Sequence, residues 1–148
     1  SLGQSALRAP SVFNFYRPGY VPPNTPVAAA GLVAPEMQIT HETSVAGYLN
    51  TMRGIVERGI GTGSPRDVMA GYDTELRLAE TPGGLVERMN RLLLNGNLSD
   101  PLRAQIVDAV ESIAIPANDP GGADRARRNR VWLAVYLAMA SPEYLVQR

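Results

Sequence analysis

"ADRARRNRVWLAVYLAMASP", residues 123–142, decides the fold class. It opens with four arginines in six positions, continues as ten apolar residues from Val131 to Ala140, and stops at Ser141-Pro142. Val131, Trp132, Val135, Tyr136 and Met139 cover nearly every side of a helix over about 123–140, and a helix that is apolar all round must be enclosed by others. The apolar run is too short for the roughly 20 residues of a membrane-spanning helix. It reads as the central helix of a bundle.

The segments upstream supply its neighbours. Val45, Tyr48, Leu49, Met52, Ile55 and Val56 recur at helical spacing between Thr43 and Arg58. Leu85, Val86, Met89, Leu92 and Leu93 form a second stripe, and Leu102, Ile106, Ala109, Val110 and Ile113 a third. Ser64-Pro65, Thr81-Pro82, Asp100-Pro101, Asp119-Pro120 and Ser141-Pro142 each place a cap residue before a proline that has no amide to lose, and so predict five helix starts. "SPRD" at 64–67 resembles a capping box, and "NGN" at 95–97 supplies a helix stop. The fold class is all-α, a compact bundle of five or six helices over residues 36–148 in one domain, preceded by an irregular arm over residues 1–35 that is rich in proline and aromatics.

That arm contains "RAPSVFNFYRPGYVPP", residues 8–23, with four aromatics and four prolines. Were residues 11–16 extended, Phe13 and Phe15 would share one face and Val12, Asn14 and Tyr16 the other. Prolines fix φ and remove donors, so the segment holds a non-helical shape without joining a sheet, and Pro18-Gly19 makes a turn. The expectation is an aromatic clamp, anchored on the helical body through Phe13, Phe15 and Tyr16. The rival is a docking surface for a preceding portion of a longer chain.

Composition narrows the function classes. A chain of 148 residues has the size of one ordinary domain. Its formal net charge is zero and neither half carries a long charge run, so nucleic acid and charged membrane surfaces are not expected partners. All 14 cationic side chains are arginine, a bias assigned to genome composition. The absence of cysteine excludes disulfides, thiolate metal sites and cysteine nucleophiles, and leaves the compartment open. The opening "SLGQSALRAP" has neither an initiator Met nor a targeting segment, which fits a piece cut from a longer precursor.

Three blocks, "LRAPSVFNFYRPGYVPP", "GLVAPEMQITHETSVAGYLN" and "AVYLAMASPEYLVQR", together resemble the C-terminal part of the bacterial family DUF1800, proteins of unknown function. The resemblance spans nearly the whole chain. It implies export to the periplasm or beyond, an upstream part of the same protein as first partner, and a sulfatase-like exported protein encoded nearby as a second. It supplies no reaction and no established active site.

Candidate chemistry is sparse. His41 is the single histidine, beside Glu42, with no second histidine at helical spacing and no nucleophile setting. Thr40, His41 and Thr43 instead read as caps of a helix start, and the family blocks commonly carry Asn in place of His41. "GIGTGS" at 59–64 lacks the Gly-Lys-Ser/Thr ending of a phosphate loop and reads as a helix stop and connector. "NDPGGAD" at 118–124 has too few oxygen ligands for calcium. No cofactor or metal is expected. The remaining constellation comprises Arg8, Asn14, Arg17, Glu36, Gln38 and Glu42, expected as an Arg–carboxylate and Asn–backbone network that pins the arm, so that the structural or interaction residues are Arg8, Phe13, Asn14, Phe15, Tyr16, Glu36, Gln38 and Glu42. Two functions follow: a structural and interaction module that is not by itself an enzyme, or the fragment of an extracellular hydrolase whose site lies mainly upstream.

Overall fold

A computed structural model describes residues 4, 5 and 7–145 of the chain. The elements run α1 (Pro26–Ala29), a 3-10 helix (Pro35–Ile39), α2 (Glu42–Arg58), α3 (Asp73–Arg77), α4 (Pro82–Leu93), α5 (Asp100–Glu111), α6 (Pro120–Ala140) and α7 (Pro142–Leu145). The fold is all-α: the described residues form no strand, only two isolated bridges, Ser11 with Asn14 and Ile60 with Val68. Contacts divide the chain into two compact units, Ser1–Thr51 and Met52–Arg148.

The second unit holds the core. α6 packs against α3, α4, α5 and α7, as its all-round apolar sequence requires. Val131, Ala134 and Ala138 on α6 are fully buried, and meet Leu85, Val86 and Met89 of α4 and Ile106 and Val110 of α5. Alanines on the central helix let its neighbours approach while larger side chains from α4 and α5 fill the space. Leu92, counted in the α4 stripe by spacing, is exposed.

Four of the five cap-proline pairs mark helix starts, and one does not. Thr81-Pro82, Asp119-Pro120 and Ser141-Pro142 stand where α4, α6 and α7 begin, while α5 begins one residue early, with Ser99 in the cap position. Ser64-Pro65 lies instead in a loop closed by the pair of bonds between Ile60 and Val68, at 2.8 and 3.0 Å. Gly59, at φ +73, ends α2 and turns the chain into this loop. A cap-proline pair needs an amphipathic run behind it to bury, and the residues after Pro65 offer none: 62–71 are all exposed.

The first unit contains α1, the 3-10 helix and the N-terminal part of α2, and among its described residues only Pro22 is buried. Residues 11–16 are not extended. Asn14 has φ +63, its N–H bonds to the Ser11 carbonyl at 3.1 Å, and Tyr16 N–H bonds to Phe13 at 3.3 Å, so the segment is a succession of tight turns. Turn bonds between near neighbours replace the alternating faces that an extended strap would have. The Pro18-Gly19 turn is present, closed by Tyr20 N–H on the Arg17 carbonyl at 3.0 Å.

Candidate interaction surface

The start of α2 is organised by His41. Its Nδ1 accepts from the Ser44 N–H at 3.3 Å and lies within hydrogen-bond distance of the Thr43 hydroxyl at 2.8 Å, while the Ser44 hydroxyl oxygen accepts from the His41 N–H at 2.9 Å. This is a reciprocal capping box with Ser44 in the place usually held by Glu or Gln, and it satisfies two amides that the helix leaves open. The single histidine of the chain is therefore a cap, as expected, and its reciprocal partner is Ser44, a residue outside the expected trio of Thr40, His41 and Thr43.

The expected Arg–carboxylate network in the arm does not form. Arg8, Glu36 and Glu42 are exposed, and among the described residues neither they nor Arg17 make an ion pair. Water solvates these charges, so nothing forces them together. Gln38 does tie the arm to the 3-10 helix, its Oε1 accepting from the Arg17 N–H at 2.6 Å, and the Ala34 N–H reaches the Tyr20 carbonyl at 2.9 Å. Asn14 is exposed and serves the arm by adopting a left-handed turn rather than by bonding across it. Tyr16 accepts from Gln4 Nε2 at 2.7 Å and is half-buried, as is Phe15. Phe13 is 58% exposed. The full burial expected of the Phe13 ring is absent: Phe13 precedes the left-handed turn at Asn14 and is exposed, whereas Phe15 after it is half-buried.

What the first unit presents is apolar surface. Leu7, Val12, Phe13, Leu32, Val33 and Val45 are all exposed, and the first 51 residues hold eight of the thirteen exposed large apolar side chains among the described residues. Scattered single apolar side chains are normal on a protein surface; a concentration in a segment without a core is not.

Polar organisation lies in the second unit, at residues the sequence reading did not single out. Asn90, buried in α4, accepts from the Leu98 N–H at 3.0 Å through Oδ1 and donates to Glu87 Oε2 at 3.3 Å. Glu87 also takes Arg103 of α5 at 2.6 Å and Arg91 at 3.0 Å. Hydrogen bonds from Arg103, Asn90 and Arg91 hold its carboxyl down to about 2. Glu75, buried in α3, pairs with Arg88. Tyr72, whose hydroxyl donates to the Val56 carbonyl at 3.3 Å, has its pKa raised by burial and by the nearby Glu75 charge. Arg130 donates to the carbonyls of Ile113 at 2.8 Å and Ala79 at 3.0 Å, placing a cation just past the C-terminus of α5. Arg127 grips Glu80 and Asp124 beside an open cavity of about 550 Å³. Half of the basic opening of α6 is thus spent inside its own unit. Every buried side-chain nitrogen and oxygen among the described residues has a partner, and no three of their acidic or histidine side chains gather as metal ligands. No helix among them is long and apolar enough to cross a membrane.

The family model described as "Protein of unknown function (DUF1800)" matches residues 1–146. The chain belongs to this family. Its match takes in both the apolar first unit and the helical second unit, so the two are parts of one DUF1800 sequence pattern. No curated protein and no solved structure matches the chain.

Proposed function

We propose that this chain is a structural and interaction module, the C-terminal part of an exported bacterial protein, and that its first 51 residues dock on the preceding portion of the same polypeptide. The observation that carries the reading is apolar surface without a core: eight large apolar side chains of the first unit are exposed while only Pro22 among its described residues is buried. Such a segment gains stability by covering its exposed apolar side chains, and their concentration in a unit without a core supports an interaction role. The second unit supports the reading from the other side, because every buried polar side-chain atom among its described residues is satisfied and its apolar cluster gives the first unit a stable base to be carried on. Export is part of the same proposal, and the family resemblance is its support.

The test is association in trans. The preceding part of the polypeptide and the 148-residue chain, expressed separately and mixed, are expected to form a complex that Phe13→Asp with Leu32→Asp weakens at least about tenfold, the scale of one or two lost apolar anchors. A double variant that binds as tightly as the parent, or two parts that do not associate at all, overturns the reading.

A further inference from the structure

α4 and α5 are joined by a turn that carries the pair Asn95-Gly96. φ is +52 at Asn95 and +82 at Gly96, and the Asn97 N–H closes on the Leu94 carbonyl at 2.9 Å. Two successive left-handed residues are the arrangement that Asn-Gly fits best, because asparagine tolerates it and glycine is indifferent to it. The same pair is chemically labile in a free chain. Glycine has no side chain to shield its peptide nitrogen, which therefore reaches the side-chain carbonyl carbon of the preceding asparagine more readily than in any other pair. Both residues are exposed, and nothing lies within 4 Å of the place a Cβ on Gly96 would occupy, so solvent has access.

The fold opposes this reaction at the attacking nitrogen. The Gly96 N–H donates to the Asn90 carbonyl at 3.1 Å, and Asn90 is fixed in turn by the Leu98 N–H on its Oδ1 at 3.0 Å. Buried Leu94 and Leu98 on either side of the turn hold the register that makes both bonds possible. The attacking nitrogen must release its proton and leave Asn90, and Asn95 must abandon its left-handed conformation, before the ring can close.

We propose that Asn95 is a site of spontaneous deamidation whose rate is set by opening of the turn held by Asn90. The Gly96 nitrogen, having lost its proton, bonds to Asn95 Cγ; the Cγ–Nδ2 bond breaks, and the amide nitrogen leaves with a third hydrogen as ammonia. Water then opens the five-membered imide at one of its two carbonyls, giving its hydroxyl to the carbon and its hydrogen to the nitrogen. One product is Asp at position 95 and the other an isoaspartyl linkage, with no change of oxidation state. The isoaspartyl product inserts an extra carbon into the backbone and loses the register between Leu94 and Asn97. It therefore loosens the α4–α5 connection permanently, so that a transient opening is recorded as a covalent change.

Trypsin cleavage after Arg91 and Arg103 releases residues 92–103, which contain Asn95 and also Asn97, followed by the shielding Leu98. The chain is incubated at neutral pH, folded and in urea, and the replacement of NH2 by OH is followed by mass in that peptide. In urea, Asn95 converts and Asn97 does not. In the folded chain the Asn95 rate is lower by about tenfold or more, in proportion to the population of the open turn. Asn90→Ala, checked for retained helix by circular dichroism, moves the folded rate toward the urea rate. Urea below the unfolding transition gives the same acceleration in the parent chain, without reliance on the variant. Equal rates in the folded and unfolded chain overturn the gating, and an Asn95 rate in urea no greater than that of Asn97 overturns the site.

Discussion

Asn90 and Glu87 lie three residues apart on α4 and bind the start of the helix that follows: Asn90 takes the Leu98 N–H and Glu87 takes Arg103. Removing the Asn90 side chain leaves a buried amide without its acceptor, so Asn90→Ala is expected to cost about 1–3 kcal/mol in urea denaturation. Glu87 makes a pH-dependent contribution with a definite sign. Its carboxyl is held at about 2 against an ordinary 4.5, so the charged form is favoured by the folded state. That contribution is complete above the ordinary value and is lost as pH falls from there through about 2. Glu87→Gln is expected to melt below the parent at neutral pH, with the gap closing as pH approaches 2; a gap independent of pH contradicts the assignment. Neither residue was singled out in the sequence reading, although a signal was present. Asn90 stands four residues after Val86 and three before Leu93, on the apolar stripe itself, and a polar side chain in that position must find a buried partner. What spacing does not reveal is which partner, because the Leu98 N–H arrives from beyond the turn.

Helices with a long apolar stripe were legible, and short or irregular elements were not. α2, α4, α5 and α6 follow from periodicity, whereas α3, five residues with one buried glutamate, has no stripe to read. Ser64-Pro65 carries the same local signal as Thr81-Pro82 and fails for want of an apolar run behind it. The arm escaped for a related reason: the conformation of residues 11–16 depends on a left-handed Asn14, which alternation of side chains does not report. Two predictions belong to this scale. His41→Ala removes the acceptor for the Ser44 amide and is expected to cost about 0.5–2 kcal/mol, whereas His41→Asn keeps an acceptor and most of the stability. Amide exchange at Ser44 and Val45 reads the difference directly, and equal protection in both variants contradicts the cap. On α6, Ala138 is fully buried against its neighbours, so Ala138→Leu is expected to cost about 1–3 kcal/mol by overpacking, while Arg128→Ala on the exposed side stays within about 0.5 kcal/mol. Thermal denaturation of the two variants ranks them.

At the scale of the whole molecule the two units differ in kind. The second unit buries a contiguous apolar cluster, whereas the described residues of the first unit show apolar side chains to solvent and bury only Pro22. The composition of the arm was legible as stiff and adhesive; the direction of its adhesion was not, since an aromatic that packs inward and one that waits for a partner look alike in sequence. Under the proposed docking role, the second unit is the source of stability and Phe13 belongs to a surface to be covered. The direct test is the thermal midpoint of the 148-residue chain carrying Phe13→Ala, measured beside Leu85→Ala. Phe13→Ala is expected to leave the midpoint within the shift of about 0.5 kcal/mol typical of surface changes, and Leu85→Ala to lower it by the equivalent of about 2–5 kcal/mol. A Phe13→Ala loss as large as that of Leu85→Ala would mean that the arm is clamped onto its own chain, and would contradict the docking surface.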